Sequence, residues 1–96
     1  MAACVKKAGK DGYEDFWQMP ITDEHRADIT GLWGGDIVNQ GKSGMAGHST
    51  AACFLERFVE DKRPWAHLDI ANTVVNPTAS AVWGTRTLLN FINNIE

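Results

Sequence analysis

Five consecutive residues, Ala51-Ala52-Cys53-Phe54-Leu55, leave no polar side on the opening turns of a helix, and this constrains the chain more than any other feature. The wider stretch from Ala46 is helical in pattern. Ala51, Phe54, Leu55, Phe58 and Val59 recur at i, i+3, i+4, i+7 and i+8, while Glu56, Arg57, Glu60 and Asp61 fall away from that face. A helix that is apolar all round at one end has to be enclosed there, which implies a large surrounding body. At 96 residues the chain amounts to one small domain, and a chain of that size buries only somewhat more than about 60% of its unfolded surface.

The other elements follow from local signals. Met1 to Gly9 holds helix formers ended by a glycine, and Asp11-Gly12 marks a turn. Phe16 to Ile21 is a short apolar run broken by Pro20, which suits an edge or irregular strand. Thr22 is placed to cap a short helix with Asp23 and Glu24 in its first turn and Gly31 at its end. Six glycines between 31 and 47 predict a loop region, with a brief strand at Asp36-Ile37-Val38. Pro64 stops the Ala51 helix. From Trp65 to Ala71 the residues alternate, with Ala66, Leu68 and Ile70 on one face and Trp65, His67, Asp69 and Ala71 on the other, so a strand largely covered on both sides is expected. Asn72 to Val82 has turn residues and no period. Leu88, Phe91, Ile92 and Ile95 then give a final amphipathic helix. Helix, strand and helix in this order point to the α/β class.

The charge balance excludes some partners. A formal net charge of −3 argues against a nucleic-acid surface, which needs a basic stripe to displace counterions. Lys6, Lys7 and Lys10 are explained by a solvated helix face. No run of about 18 apolar residues and no signal-peptide pattern is present. Cys4 and Cys53 are too few and too far apart for a disulfide framework, so reduced, buried thiols and a cytoplasmic setting are expected. Asn76-Pro77-Thr78 cannot accept a glycan because of its proline.

Three constellations invite a chemical role, and each has a plainer explanation. His67 and Asp69 share a strand face and, with His48, His25 or Glu24, could be drawn as metal ligands. No ligand spacing supports that, and buried polar groups satisfied by hydrogen bonds explain them. Gly35 to Ser43 nearly spells a phosphate-binding loop, but five residues intervene where four are needed, and no strong strand precedes it. Lys42 is then an exposed or ion-paired lysine. Cys53 lies in an apolar helix segment, where a thiol is typically inert.

Two adjacent segments carry a resemblance. Trp65-Ala66-His67-Leu68-Asp69-Ile70-Ala71 resembles the Trp-Ala-His-Leu-Asp-Ile-Ala-Gly strand of the leucine aminopeptidases, also called cytosol aminopeptidases. Ala46-Gly47 with Thr50-Ala51-Ala52-Cys53-Phe54-Leu55 and Phe58 is similar to the helix that precedes this strand in the family. Trp17-Gln18-Met19-Pro20, Asn39 with Gly41, and Arg86-Thr87-Leu88-Leu89 with Phe91 extend the likeness over most of the chain. It implies an α/β fold: the C-terminal portion of a mixed-sheet metallopeptidase catalytic domain with flanking helices, spanning residues 1–96.

The implied activity is removal of N-terminal residues from peptides at a site holding two divalent metal ions, zinc, manganese or magnesium. Paired metals polarise the scissile carbonyl and supply a bound hydroxide at neutral pH. The family's Asn-Thr-Asp-Ala-Glu-Gly-Arg motif, which carries metal ligands, does not occur in this sequence. The resemblance therefore assigns no catalytic residue and no metal ligand here, and implies that the segment alone is inactive. What it maps onto this chain is pocket wall: Ala71 and Val74 beside the substrate's first side chain, and Gln40 near the next subsite. Small or apolar walls discriminate by only about 1–3 kcal/mol per methylene, so broad specificity is implied. Two departures bear on this: Asn72 stands where the family has glycine, and Gly84-Thr85-Arg86 stands where the family has Gly-Arg-Pro before the last helix. The implied partners are peptide substrates, the remainder of the catalytic domain and further copies in a homo-oligomer, with a hexamer as the family habit; nucleic acid and membrane are not among them. A module from another class, keeping only the family's packing or assembly surface, fits the same residues.

Overall fold

The computed structural model describes residues 1–31, 35–61, 63–71 and 83–95. Among these residues it has four helices, α1 (Ala2–Asp11), α2 (Asp23–Asp28), α3 (Gly47–Glu56) and α4 (Thr85–Asn93). They fall into two compact units, one of Met1–Gln18 with Leu68–Glu96 and one of Met19–His67.

In the first unit α1 packs on α4. Helix α1 runs two residues past Gly9, the stop expected from sequence. The glycine is there for packing: a Cβ on it would collide with the Glu14 carbonyl oxygen and lie 2.6 Å from Phe16 Cδ2. The helix ends instead with Tyr13 in the left-handed region at φ 59. Tyr13 N–H donates to the Lys10 carbonyl at 3.2 Å and Glu14 N–H donates to the Gly9 carbonyl at 2.8 Å, the paired bonds of a Schellman ending. This turn delivers the Glu14 side chain to the start of α4, where Gly84, at φ 99, offers no side-chain cap of its own. Glu14 supplies the cap from 70 residues away. Its carboxylate accepts Gly84 N–H at 3.0 Å, Thr87 N–H at 3.1 Å and the Thr87 hydroxyl at 2.6 Å. Asn90 donates to the Ala8 carbonyl at 3.1 Å and Phe16 packs on Trp83 with ring centroids 4.9 Å apart.

The second unit joins α2 to α3. Thr22 caps α2 as expected. The Thr22 hydroxyl accepts His25 N–H at 3.4 Å and His25 Nδ1 accepts Thr22 N–H at 3.1 Å, a reciprocal box with Asp23 and Glu24 in the first turn. The helix ends at Asp28 with Ile29 as its C-cap, before Gly31. Arg26 grips Glu56 of α3 through Nε at 2.9 Å and Nη2 at 3.4 Å, and holds Asp23 at 2.9 Å. Ser49 donates to the Pro20 carbonyl at 2.8 Å. The brief strand expected at 36–38 is present as a single antiparallel bridge between Thr30 and Ile37.

Three further expectations change. The Trp65–Ala71 stretch has no β-ladder among the described residues, and neither does Phe16–Ile21. A strand meant to be covered on both faces depends on neighbouring strands, and none is formed by the described residues, so the mixed sheet is not seen there. The second change concerns which sides of the helices are buried. In α4 the buried residue is Thr87, while Leu88 and Ile92 are 53% and 63% exposed. In α3 the buried residues are Ser49, Thr50, Ala52 and Cys53, whereas Phe58, just past the helix end, is 71% exposed. Buried apolar side chains among the described residues are Ala8, Ile29, Ala52 and Cys53. Close packing selects the small faces of α3 and α4, and Leu55, Phe58, Leu88, Leu89 and Ile92 remain outside. Finally, Cys4 is exposed, while Cys53 is buried as expected. The loop expected at 72–82 lies outside the described residues.

Candidate functional site

Of the three wall candidates, Gln40 is the one whose surroundings are best defined. It is exposed on a loop, residues 38–43, tied at both ends to the end of α2. Val38 N–H donates to the Ile29 carbonyl at 2.8 Å and Lys42 N–H donates to the Asp28 carbonyl at 3.0 Å. The Asp28 side chain adds a second hold. Oδ1 accepts Ser43 N–H at 3.0 Å and Oδ2 accepts the Ser43 hydroxyl at 2.8 Å. These bonds, the hydroxyl's first and then the amide's, keep the Asp28 carboxyl below its ordinary pKa. Gly41 makes room for this clasp: a Cβ there would run into Asp28 Oδ2 and lie 3.0 Å from Thr50 Cγ2. Lys42 Nζ donates to the Thr30 hydroxyl at 3.1 Å, so the near phosphate-loop holds its own lysine in a local hydrogen bond.

Ala71 belongs to the first unit and is exposed, and its N–H donates to Asp69 Oδ1 at 3.4 Å. Val74 lies outside the described residues. The second unit also bears an open groove of about 510 Å³, lined by Arg26, Glu56, Arg57, Val59, Glu60, Asp61, Arg63 and Trp65. Three guanidiniums face three carboxylates in it, two of the former already paired, Arg26 with Glu56 and Arg63 with Glu60 at 2.6 Å. Such a balanced lining favours neither anions nor cations. Among the described residues no three His, Cys, Asp or Glu side chains gather into a metal-binding group. Cys53 is fully buried, and burial first, then Glu56, pushes its thiol pKa up, which opposes a nucleophilic role.

Sequence reasoning overlooked two carboxylates, Asp28 and Glu14. Asp28 falls among polar residues of a short helix and its partner lies 15 residues away. Glu14 follows a turn and meets its partners 70 and 73 residues on. Neither spacing leaves a local signal.

Comparison with known proteins fixes the setting of these residues. The profile of the cytosol aminopeptidase family, catalytic domain, matches residues 1–89. The chain is 46% identical over 69 residues to a probable cytosol aminopeptidase of Bdellovibrio bacteriovorus, covering 72% of this chain and 14% of that protein. It is 42% identical over 94 residues to one from Rickettsia typhi, covering 90% and 19%. A Synechococcus relative is 35% identical over 99 residues, covering 96% and 20%. No solved structure matches. The chain therefore belongs to the cytosol aminopeptidase family, and it is the catalytic domain of that family that its residues 1–89 match. It spans 14–20% of the length of these relatives. No helix among the described residues is long and apolar enough to cross a membrane.

Proposed function

We propose that this chain is the C-terminal part of the catalytic domain of a metal-dependent leucine aminopeptidase of the cytoplasm, which removes N-terminal residues from peptides. In the complete enzyme it supplies pocket wall and scaffold. The observation that carries this reading is the family match across residues 1–89, set against a span of only 14–20% of each relative. Two divalent ions, zinc, manganese or magnesium, would supply a polarised carbonyl and a bound hydroxide in the complete site. The family's ligand-bearing Asn-Thr-Asp-Ala-Glu-Gly-Arg motif does not occur in this sequence, and on this reading their ligands come from the remainder of the domain. There Trp65–Ala71 takes its place in a mixed sheet, and the uncovered faces of α3 and α4 meet the rest of the domain or further copies of a homo-oligomer, a hexamer in the family's habit.

Within that enzyme Ala71 and Val74 line the pocket for the first side chain of the peptide, and Gln40 lies beside the next. The test is Ala71→Phe in the complete enzyme. Filling the wall should lower kcat/KM for a leucyl-anilide about tenfold more than for an alanyl-anilide, the scale of a lost methylene or two of space, with folding preserved by circular dichroism. Equal losses on both substrates would remove Ala71 from the wall.

A further inference from the structure

We infer that Asp28 is a positioning residue for the second substrate subsite: its carboxylate fixes the loop that carries Gln40 and so tunes preference for the residue after the scissile bond. This rests on the proposed placement of Gln40 beside that residue; what it adds is the device that holds Gln40 there.

The loop has little stiffness of its own. Gly41 and Gly44 lie just beyond Gln40, Gly44 at φ 70, and glycine brings the greatest backbone freedom of any residue. Asn39 and Gln40 are exposed, so packing does not immobilise them. Position must come from the ties at the two ends. On the entering side it is the backbone bond of Val38 to Ile29; on the leaving side Asp28 holds Lys42 with its carbonyl and Ser43 with both carboxylate oxygens. Ser43 passes the hold onward, since its hydroxyl accepts Met45 N–H at 3.1 Å. Gly41 is pressed so near the Asp28 carboxylate that a side chain there would displace it. Carboxylate, glycine and serine thus form one clasp directly after Gln40. Asp28 bonds the loop and so acts through it, where a misplacement of about 1 Å can cost on the order of a hundredfold in rate.

The experiment uses the complete enzyme with two pairs of dipeptides, one varied in the second residue (Leu-Leu against Leu-Gly) and one in the first (Leu-Gly against Ala-Gly). Asp28→Ala is expected to shift the kcat/KM ratio of the first pair about tenfold and to leave that of the second pair within about twofold. Asp28→Asn keeps an acceptor for Ser43 N–H and an amide that can donate to its hydroxyl, so it should restore the ratio. Gln40→Ala should shift the same ratio, and adding Asp28→Ala to it should shift it no further. If Gln40→Ala leaves the ratio unchanged, the subsite reading is wrong and the inference goes with it. If Gln40→Ala shifts the ratio and Asp28→Ala does not, the reading stands and the inference is overturned. Equal loss on all three dipeptides with a lowered melting temperature, unrelieved by Asp28→Asn, would make Asp28 merely structural and also overturn it.

Discussion

The two units join their helices by opposite means. In the first, a single carboxylate, 5% exposed, gathers three hydrogen bonds at the N-terminus of α4. In the second, a guanidinium 45% exposed spans α2 and α3 to a carboxylate 33% exposed. A buried acceptor cannot be replaced by water when it is removed, whereas an exposed pair is largely replaced by solvent and salt. The number of polar contacts is therefore a poor guide to what holds each unit together, and burial of the acceptor is a better one. One feature is common to both. The helices meet through small and polar faces, and Leu88, Leu89, Ile92, Leu55 and Phe58 stay outside.

The largest expected effect would break the comparison altogether, because it denies both units an independent existence. A large side chain left wet forgoes about 1.5–3 kcal/mol, and whole domains are stable by only about 5–15 kcal/mol. With so many large apolar side chains exposed, the 96-residue chain by itself should show no sharp cooperative transition in calorimetry and should self-associate in size-exclusion chromatography. It should also release no leucine from a leucyl-anilide, with or without added zinc or manganese. A monomer that melts sharply would show that the packing described is sufficient, and metal-dependent turnover free of host enzyme would overturn the proposed division of labour.

The same contrast explains what could be read from the sequence. Capping chemistry is local, so Thr22 and the acids after it were legible, as was the helical periodicity of the last segment. Periodicity shows that a helix has two faces and not which of them its nearest neighbour takes, so the buried side of α4, centred on Thr87, was missed. Gly9 looks like a helix stop because composition carries no record of Glu14 and Phe16 pressing against it. The alternation from Trp65 to Ala71 is a strand pattern without a ladder among the described residues. Of the candidate site, Gln40 and Ala71 came through resemblance to a family, while the Asp28 clasp depends on a contact across 15 residues that no local rule supplies.

A middle-sized effect sharpens the comparison at Glu14. Burial pushes its carboxyl pKa up, but the Thr87 hydroxyl and the amides of Gly84 and Thr87 outweigh burial and hold it below its ordinary value of 4.5. Glu14→Gln puts an amide N–H2 against one of those donors, and the complete enzyme should lose roughly 1–3 kcal/mol in urea denaturation. The sign with pH follows from linkage. A carboxyl whose folded pKa lies below its unfolded value stabilises fully above the unfolded value, and that stability is lost as pH falls through the folded one. Denaturation of the parent enzyme followed from pH 7 to pH 3 should therefore show a loss beginning below about 4.5 that the Glu14→Gln variant lacks. Parallel curves for the two would mean that the cap is not made by an ionised carboxylate.

The smallest effect is expected at Arg26, although it makes as many hydrogen bonds as Glu14. Its guanidinium bonds Glu56 twice and Asp23 once, yet Asp23 is almost fully exposed and Glu56 a third so. Exposed pairs of this kind contribute about 0–1 kcal/mol, because water solvates the separated charges and two long side chains lose freedom in pairing. Arg26→Gln in the complete enzyme should therefore cost well under the Glu14→Gln loss, and much of that cost should vanish in about 1 M salt, where screening acts over roughly 3 Å. The measurement is urea denaturation of both variants side by side at low and high salt. An Arg26 loss equal to that of Glu14 and insensitive to salt would show that the pair is buried in the complete enzyme by surfaces beyond this chain, and the contrast between the two units would then belong to the segment and not to the enzyme.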